Sequence, residues 1–332
     1  MNLMSLNSES KIPKYKQIVS AIEETISIGS LKKDDKLPSL NTIKNKFNFS
    51  RDTVLVAFNE LKSRGIIHSV VGKGYYVSSE NIAIQQKIFV LFDELNSIKE
   101  DLYNAFLENL GNHVQVEIYF HNFNPIIFNK LILENVGNYN YYVIMPANLK
   151  NSYQAISVLP KEKVYILDQI NDNLIDYAAV YQNFEKDIYA GLFAGLKMLE
   201  SYKKIILLFN EDKQPEGILK GFISFCNTHH FSYEIVDSFS NRTPIVGDIY
   251  LVLDDKNLIR IIKKIKEQNL VIAKDIGIIS FNDTLLKEVV EDGITTISTD
   301  FKIMGMQLAT MILNNTTKKI ENPSSLIIRK SL

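Results

Sequence analysis

Short polar side chains follow four of the apolar, strand-like segments of this 332-residue chain. They form the pairs Asp93-Glu94, Asp168-Gln169, Asp254-Asp255 and Asn282-Asp283, with aromatic residues such as Phe92 and Phe281 beside them. Carboxylates and amides bond hydroxyl groups, and aromatic rings stack on the C–H faces of a sugar. These residue types therefore fit a hydroxyl-rich ligand, whereas the commoner use of any one such Asp or Asn is to cap a helix or make a turn.

The elements that would position these side chains alternate between strands and helices. Strands are predicted at Ile88–Phe92, Val114–Tyr119, Tyr141–Met145, Val164–Leu167, Ile205–Phe209, Tyr233–Val236, Ile249–Leu253 and Gly277–Ser280. Helices are predicted between them, for example at Lys99–Leu110, Asp187–Glu200 and Asn257–Gln268. This rhythm is typical of parallel sheets covered on both faces, and its length favours two doubly wound lobes. Ligands bind such folds at the carboxyl ends of the strands, so we expect a pocket between the lobes.

The first 78 residues follow a different pattern. Apolar residues recur every four positions over 18–26, which predicts an amphipathic helix. Ser39 and Ser50 are candidate N-caps of two further helices, and β-branched and aromatic residues over 66–77 predict a two-stranded hairpin. Three helices and a hairpin predict a winged helix-turn-helix, whose third helix enters the DNA major groove.

Charge is divided between the same two regions. Residues 11–78 carry a formal charge of +6, and the remainder of the chain carries −7. A small basic module on a larger acidic body favours a polyanion-binding domain joined to a domain with another task.

Arg51 and Lys73 are the strongest candidates for contact with DNA. Arg51 opens the third predicted helix, where a guanidinium can pair with a guanine edge or a phosphate. Lys73 stands between Gly72 and Gly74 at the hairpin tip, where glycines allow close approach to the DNA backbone. The alternative for both side chains is a solvated surface charge.

Residues 11–78 resemble the DNA-binding domain of GntR-type regulators. The motifs that carry this resemblance are Pro13-x-Tyr15-x-Gln17-Ile18, Gly29-x-Leu31, Leu37-Pro38-Ser39, Ser50-Arg51-Asp52-Thr53-Val54, Leu61-x-x-x-Gly65-Ile66 and Gly72-x-Gly74-x-x-Val77. The resemblance implies DNA contacts from Ser39, Asn41, Ser50, Arg51, Thr53, Gly72, Lys73 and Gly74. Asn41 stands where many members have arginine, and Leu55 replaces another basic position, so the operator sequence stays open.

A second resemblance covers the C-terminal part of the chain. Residues 275–283, 293–301 and 304–305, together with 252–255 and 220–222, resemble the effector domain of the lactose/galactose repressor (LacI) family, which has a periplasmic-binding-protein fold. By motif position this implies sugar contacts from Asp168, Asp254, Asn282 and Thr299. The sugar-binding arginine of that family is Ile218 here, so Glu216 or Lys220 is the expected substitute.

Together, the residue types and the second resemblance predict one effector site. Its predicted members are Phe92, Asp93, Glu94, Asp168, Glu216, Asp254, Asp255, Phe281, Asn282 and Thr299. A GntR-type head on a LacI-like body also resembles sugar-catabolism regulators of Bacteroidetes, which implies a monosaccharide effector.

Other classes of protein are disfavoured by what the sequence lacks. It has no G-x-G-x-x-G after a strand, no P-loop lysine motif, no G-x-S-x-G and no H-E-x-x-H, so we expect no enzyme, no cofactor and no metal site. The single cysteine, Cys226, excludes a disulfide framework and is expected to be a buried apolar residue. No apolar run approaches a membrane span and the N-terminus lacks a secretion pattern, so we expect a cytoplasmic protein.

The sequence thus predicts an effector-controlled transcriptional regulator that binds a palindromic operator in double-stranded DNA as a homodimer. The predicted domains are a winged helix-turn-helix at 11–78, a linker at 79–86 and an effector-binding and dimerisation domain at 87–332. Within the last, lobe 1 is expected at about 87–183 and 301–322, and lobe 2 at about 184–300 and 323–332. A nucleoside or other polyol effector, or a body that only dimerises or binds a protein, remains open, as do the sign of regulation and a tetrameric state.

Overall fold

The computed structural model describes residues 12–332, beginning with a small helical domain. This head consists of α1 (Lys14–Ser27), α2 (Leu40–Phe47), α3 (Arg51–Ser63), β1 (Ile67–Val70) and β2 (Gly74–Val77). β1 and β2 pair in antiparallel fashion as the predicted hairpin. The secretion-signal interpretation of residues 1–10 and the first residue of the predicted domain, Lys11, lie outside the described residues.

The head forms its own hydrophobic core, because each helix turns one apolar stripe inward. Ile18 and Ile22 of α1 are fully buried against Val54 and Phe58 of α3 in that core. Both predicted N-caps are confirmed: the Ser39 hydroxyl accepts from the Thr42 amide, and the Ser50 hydroxyl accepts from the Thr53 amide, each at 3.1 Å.

The chain then forms a first sheet, the basis of lobe 1. Its sequence-contiguous elements are β3 (Gln86–Phe92), α4 (Ser97–Leu110), β4 (Val114–Phe120), α5 (Pro125–Glu134), β5 (Tyr141–Ile144), α6 (Ser152–Ile156), β6 (Val164–Asp168) and β7 (Ala178–Tyr181). A further strand from near the C-terminus, β13 (Lys319–Glu321), completes a six-stranded sheet in the order β13-β7-β6-β5-β3-β4. All of its pairings are parallel.

Lobe 2 is built on a second six-stranded sheet. Its elements are α7 (Phe184–Ala194), α8 (Leu196–Leu199), β8 (Lys204–Leu208), α9 (Glu216–Thr228), β9 (Tyr233–Val236), β10 (Asp248–Val252), α10 (Asp255–Glu267), β11 (Gly277–Phe281), α11 (Leu285–Val289), β12 (Thr295–Thr299) and β14 (Ser324–Ile327). The strand order is β14-β12-β11-β10-β8-β9, with β14 antiparallel to β12 and the other pairs parallel. The predicted α/β fold with doubly wound parallel sheets is confirmed.

The chain passes between the lobes three times, and two of these passages lead into helices. After β7 of lobe 1, α7 packs against α9 in lobe 2. After β12 of lobe 2, α12 (Phe301–Leu313) returns to pack against α4 in lobe 1. The third passage joins β13 of lobe 1 to β14 of lobe 2. These adjacent connections place the carboxyl ends of both sheets opposite each other.

The eight strands predicted from apolar runs are confirmed, and four strands were missed. The predicted helix at 187–200 begins earlier, at Phe184, and is broken at Gly195 into α7 and α8. Of the missed strands, β12 lies inside its sheet, between β14 and β11, but is made mostly of Thr and Ser. Neighbouring residues satisfy its hydroxyls: Thr295 donates to the Arg329 carbonyl at 3.2 Å, and Thr296 donates to Asp283 at 3.0 Å. A polar strand can therefore be buried without an apolar run in its sequence.

No helix within residues 12–332 is both long and apolar enough to cross a membrane. Cys226 is buried in the core of lobe 2, as predicted.

Candidate DNA-binding surface and effector cleft

The N-terminal turn of α3 presents Arg51 at the surface of the head. Arg51 is exposed, directly after the cap residue Ser50. The hydroxyls of Ser50 and Thr53 lie 2.7 Å apart, so both are already engaged in starting the helix. Ser39 has the same relation to Thr42 at the start of α2, with exposed Asn41 between them. Contact of these residues with bases or phosphates stays a prediction. Ser39 and Ser50 also cap α2 and α3.

The hairpin tip is a tight turn with a basic residue at its apex. Gly72 and Gly74 have φ of +72° and +111°, which residues with a Cβ rarely adopt. Lys73 between them is exposed, and its amide donates to the Val70 carbonyl at 3.0 Å. A larger residue at either glycine would strain this turn. Lys73 is therefore exposed to solvent at the tip of a turn whose backbone conformation depends on the two glycines.

On lobe 1, the buried Lys99 ammonium holds two carboxylates at the carboxyl ends of β3 and β6. Lys99 Nζ lies 3.4 Å from Asp93 Oδ1 and 3.2 Å from Asp168 Oδ2. Burial by itself lowers the pKa of Lys99, but the two carboxylates, Asp168 foremost, outweigh burial and raise it above its ordinary value. Gln182, at the passage from lobe 1 to lobe 2, donates its side-chain amide to Asp168 Oδ1. The ammonium thus stays charged and fixes both acids.

On lobe 2, the buried Lys287 ammonium likewise binds several acceptors near the carboxyl end of β11. Its Nζ donates to the backbone carbonyls of Phe281 and Asn282 at 3.0 and 2.8 Å, and it lies 3.2 Å from Asp255 Oδ1. Burial lowers the pKa of Lys287 because desolvation exceeds the attraction of Asp255. Asp254 accepts from both the backbone and side-chain N–H groups of Asn257 at 2.8 Å, and so caps α10.

Two strand-end residues reach the cleft through the same unusual backbone conformation. Asp168, the last residue of β6, has φ +74°, and Asn282, directly after β11, has φ +62°, so each lies in the left-handed region. They stand at corresponding ends of the two sheets. Strained residues of this kind persist where the surrounding structure holds them, and they often mark functional sites.

These side chains from both lobes line one cavity of about 310 Å³. Four phenylalanines add aromatic surface to it, namely Phe123, Phe184, Phe281 and Phe301. Among the lining residues, the amide oxygens Gln182 Oε1 and Asn282 Oδ1 are buried and have no hydrogen-bond partner among residues 12–332. Buried polar atoms normally have a partner, so each of these two oxygens has an unused capacity to accept a hydrogen bond.

Phe123 is presented to the cleft by a strained loop after β4. Asn122 and Phe123 both have positive φ, at +49° and +57°. The loop is anchored because the Asn122 amide donates to the Asp93 carbonyl at 2.7 Å and the buried His121 ring lies 3.0 Å from the Met145 carbonyl. Burial lowers the pKa of His121, which keeps that ring neutral at physiological pH.

A second cavity of about 640 Å³ adjoins the cleft and shares Gln169 and Gln214 with it. Between them, Asn148 Nδ2 of lobe 1 donates to the Gln214 carbonyl of lobe 2 at 2.6 Å. Gln169 holds the Asn148 amide oxygen at 2.9 Å. This chain of amides bridges the two lobes where the two cavities adjoin.

Seven of the ten residues predicted for the effector site line the cleft: Asp93, Glu94, Asp168, Asp254, Asp255, Phe281 and Asn282. Three do not. Phe92 is 1% exposed and lies in the core of lobe 1, because alternate residues of β3 face opposite sides of the sheet. Thr299 donates to the Pro323 carbonyl at 3.0 Å and lies beside a different cavity. Glu216 is exposed, paired with Lys220 at 3.2 Å, and lines the adjoining cavity.

Lys99, Gln182 and Lys287 line the cleft but were not among the predicted residues. Lys99 had a signal in the sequence, because it occupies the same face of α4 as the buried Leu102 and Phe106. A lysine on an apolar stripe needs a buried partner. Lys287 and Gln182 lie outside such periodic segments, so pattern alone gave no reason to choose them.

Comparison with known proteins agrees with this architecture. Residues 14–77 match the family model "Bacterial regulatory proteins, gntR family", and residues 200–332 match the model "Periplasmic binding protein-like domain". The chain is 24% identical to the arabinose metabolism transcriptional repressor of Geobacillus stearothermophilus, with 92% of each protein covered. It is 37% identical over 82 residues to the mannosyl-D-glycerate transport/metabolism system repressor of Escherichia coli, which covers 25% of this chain and 34% of that protein.

Solved structures share the fold of the body. A LacI family transcriptional regulator from Silicibacter pomeroyi has a TM-score of 0.63 at 13% identity, covering 74% of this chain and 98% of that one. A LacI family regulator from Weissella paramesenteroides with bound sucrose has a TM-score of 0.60 at 14% identity, with the same coverage. A dimeric Lac repressor has a TM-score of 0.60 at 16% identity, again with the same coverage.

The sequence matches indicate a DNA-binding transcriptional regulator. The chain joins a GntR-type helix-turn-helix domain to a periplasmic-binding-protein-like domain, and it resembles the arabinose repressor and LacI-family regulators.

Proposed function

We propose that this protein is a transcriptional repressor whose operator binding is controlled by a small sugar, most simply a monosaccharide, in the interlobe cleft. The observation that carries this proposal is the convergence of polar side chains from the strand ends of both lobes on one cavity of about 310 Å³. The two unpartnered amide oxygens in this region supply acceptors for ligand hydroxyls. A relative of similar length is named an arabinose metabolism repressor, which supports both the sugar and the sign of regulation.

The path from cleft to DNA runs through the junction between the head and lobe 1. Ser63 at the end of α3 accepts from Asn140 Nδ2 of lobe 1 at 3.1 Å. Arg64 donates to the carbonyls of Ile82 and Ile84 in the connector, at 3.2 and 3.0 Å. A ligand that alters the angle between the lobes would move these contacts and with them the head. Such a ligand regulates only if it binds the DNA-competent and DNA-incompetent shapes with different affinity.

The proposal includes a homodimer on a palindromic operator, because one winged helix reads only a half-site. A structural neighbour of the body is described as a dimeric Lac repressor, which supports dimerisation through this domain. We assign residues 11–78 to the DNA-binding domain, 79–86 to the connector and 87–332 to the effector and dimerisation domain. The DNA contacts are assigned to α3 and the hairpin tip, with Arg51 and Lys73 as the principal side chains.

The test combines ligand binding with DNA binding on the full chain. Thermal-shift and calorimetric measurements with a panel of neutral monosaccharides and nucleosides identify the ligand. Fluorescence anisotropy of operator DNA with and without that ligand then gives the coupling. We expect a monosaccharide to bind and to weaken operator binding by about 5- to 150-fold, the usual range of allosteric coupling.

Asp254→Ser is the matched site variant. Serine retains an N-cap acceptor for α10 while the cleft loses the carboxylate, so folding and ligand contact are separated. We expect ligand binding and the ligand response to be lost, with operator affinity unchanged. Asp300→Ser is the control, because Asp300 likewise caps a helix, α12, but does not line the cleft.

A nucleoside that binds in place of every sugar would replace the effector class and leave the rest of the proposal intact. If no ligand of either class binds and operator affinity is unaffected by all of them, the body serves dimerisation or protein binding only, and the proposal is wrong.

A further inference from the structure

The cleft carries a negative formal charge. Five carboxylate side chains line it: Asp93, Glu94, Asp168, Asp254 and Asp255. Three lysines line it, namely Lys99, Lys213 and Lys287, and none of the lining residues is an arginine. The lining therefore has a formal charge of −2.

Neither buried lysine has its charge available to a ligand. Lys99 is held between Asp93 and Asp168 at 3.4 and 3.2 Å. Lys287 is held by Asp255 and by two backbone carbonyls. The third lysine, Lys213, is exposed and lies 5.7 Å from the centre of the Phe123 ring, so its charge is screened by water.

Two of the helix N-termini that open onto the cleft, those of α10 and α4, are also capped by the chain's own side chains. A helix N-terminus attracts anions through its free amides and its dipole. At α10, Asp254 accepts from the Asn257 amide, and Asp255 places a second carboxylate in the first turn. At α4, Asn96 accepts from the Lys99 amide at 3.0 Å and donates to Glu94 at 3.2 Å. At these two helix starts, the chain's own acids and amides thus fill positions that a phosphate would take.

We propose that the cleft selects a neutral sugar and rejects phosphorylated sugars and sugar acids. This inference rests on the proposed function and narrows its ligand class. A phosphate ester brings additional negative charge into a partly desolvated cavity in which every buried cation is already paired. Ligand hydroxyls meet no such penalty, because they can bond both the carboxylates and the unpartnered amide oxygens.

The test measures matched ligand pairs on the full chain by calorimetry. Each neutral sugar of the panel is compared with its own monophosphate where that ester exists. These sugars include D-ribose, D-arabinose, D-glucose, D-galactose and D-fructose. For the sugar that binds, we expect the phosphorylated form to bind at least about 100-fold more weakly, because like charges brought together cost several kcal/mol. If D-galactose binds, D-galacturonate is expected to bind more weakly too.

Charge-neutralising variants separate repulsion from a simple lack of space. Glu94→Gln with Asp255→Asn removes both excess charges and frees Lys287 from its carboxylate partner. We expect this double variant to reduce the discrimination between the paired ligands by about 10-fold or more. Glu100→Gln with Asp101→Asn is the control, because both acids are exposed on α4 and neither lines the cleft.

The possible outcomes are distinct. Binding of a phosphorylated sugar as tight as that of its neutral partner, or tighter, overturns this inference while an effector-controlled regulator survives. If the double variant discriminates between neutral and phosphorylated sugars as strongly as the wild type does, charge repulsion is not the cause of that discrimination. Binding of no carbohydrate in either form overturns the sugar effector and this inference together. Thermal unfolding of each variant shows that a loss of binding is not a loss of folding.

Discussion

At the scale of single residues, buried charges on one lobe are balanced within that lobe. Lys99 pairs with acids of lobe 1, and Lys287 pairs with an acid and carbonyls of lobe 2. An isolated buried charge is costly, so each buried lysine requires the acceptors that surround it. Because neither pairing crosses the cleft, both lysines can keep their partners when the lobes move. The groups left for a ligand are the hydroxyl-binding acceptors.

Arg51 gives the prediction for the head at this scale. Arg51→Ala is expected to weaken operator binding by about 1–3 kcal/mol if the guanidinium pairs with a base, because a bidentate contact is lost. Fluorescence anisotropy over a range of salt concentrations checks this. Loss of a phosphate contact alone would weaken binding to all sequences and reduce the salt slope by about one. Arg260→Ala, in the body, is the control, and unchanged affinity on Arg51→Ala removes Arg51 from the DNA contacts.

At the scale of elements, each lobe has a pair of helices packed unusually close through a glycine. A Cβ on Gly305 of α12 would lie 2.4 Å from the Leu102 carbonyl oxygen of α4. A Cβ on Gly221 of α9 would lie 2.3 Å from the Glu185 carbonyl oxygen of α7. Both neighbours are backbone atoms on another helix, so they cannot turn aside. The two helices that follow lobe crossings, α7 and α12, therefore pack closely against α9 and α4 because a glycine lies at each contact.

Gly305→Ala is expected to destabilise the protein, although alanine favours a helix over glycine by about 1 kcal/mol. Overpacking against backbone typically costs about 1–3 kcal/mol, so the free energy of unfolding should fall. Chemical denaturation of the full chain measures the change. Met306→Ala, at an exposed neighbouring position on α12, is the control. A Gly305→Ala protein as stable as the wild type would contradict the close approach.

Asp187 of α7 gives a prediction that depends on pH. Burial, with a smaller contribution from Glu321, raises the pKa of Asp187 from 3.8 to about 6. Because the folded state binds this proton more tightly than the unfolded state, stability is lost as pH rises from about 4 to about 6. Asp187→Asn removes that loss. The variant should match the wild type below pH 4 and exceed its stability above pH 6 by about 1 kcal/mol, after allowance for solvent screening.

Thermal unfolding at pH 4, 5, 6 and 7.5 checks the behaviour of Asp187. Glu185→Gln, on an exposed position of the same helix, should show no such pH-dependent difference. A stability gain for Asp187→Asn that is equal at all four pH values would exclude the titration of Asp187 as its cause.

At the scale of the whole molecule, the head is tied to the body at the connector. Arg64 forms an ion pair with Glu23 of α1, and its guanidinium also bonds the connector carbonyls of Ile82 and Ile84. One side chain thereby fastens α1, α3 and the connector together. Asn140 of lobe 1 donates to Ser63 next to it, so the proposed function assigns to this junction the coupling between lobe 1 and the head.

Arg64→Lys is expected to weaken the coupling between ligand and DNA. Lysine keeps the positive charge but cannot present the several fixed donors of a guanidinium. Operator affinity without ligand should stay close to that of the wild type, while the ligand-dependent change shrinks by about fivefold or more. Anisotropy titrations with and without ligand measure both. Arg242→Lys, in a pair with Glu234 on lobe 2, is the control, and an intact ligand response in Arg64→Lys would show that coupling takes another path.

The sequence by itself determined the local elements and the class of protein. The helix stripes, the Ser39 and Ser50 caps, the hairpin and eight apolar strands depend on short-range spacing and side-chain chemistry, so they could be predicted. The polar residues at the strand ends were predicted for the same reason, and seven of ten predicted residues line the cleft.

Only the tertiary structure decided which side chains enter the cleft and how they are partnered. Phe92 and Thr299 have the right residue types, but strand parity and the hydrogen bond to Pro323 turn them elsewhere. Lys99 and Lys287 enter because residues far apart in sequence bring acceptors around them. The physical reason is that burial and charge pairing depend on neighbours from several elements, which spacing along one segment does not encode.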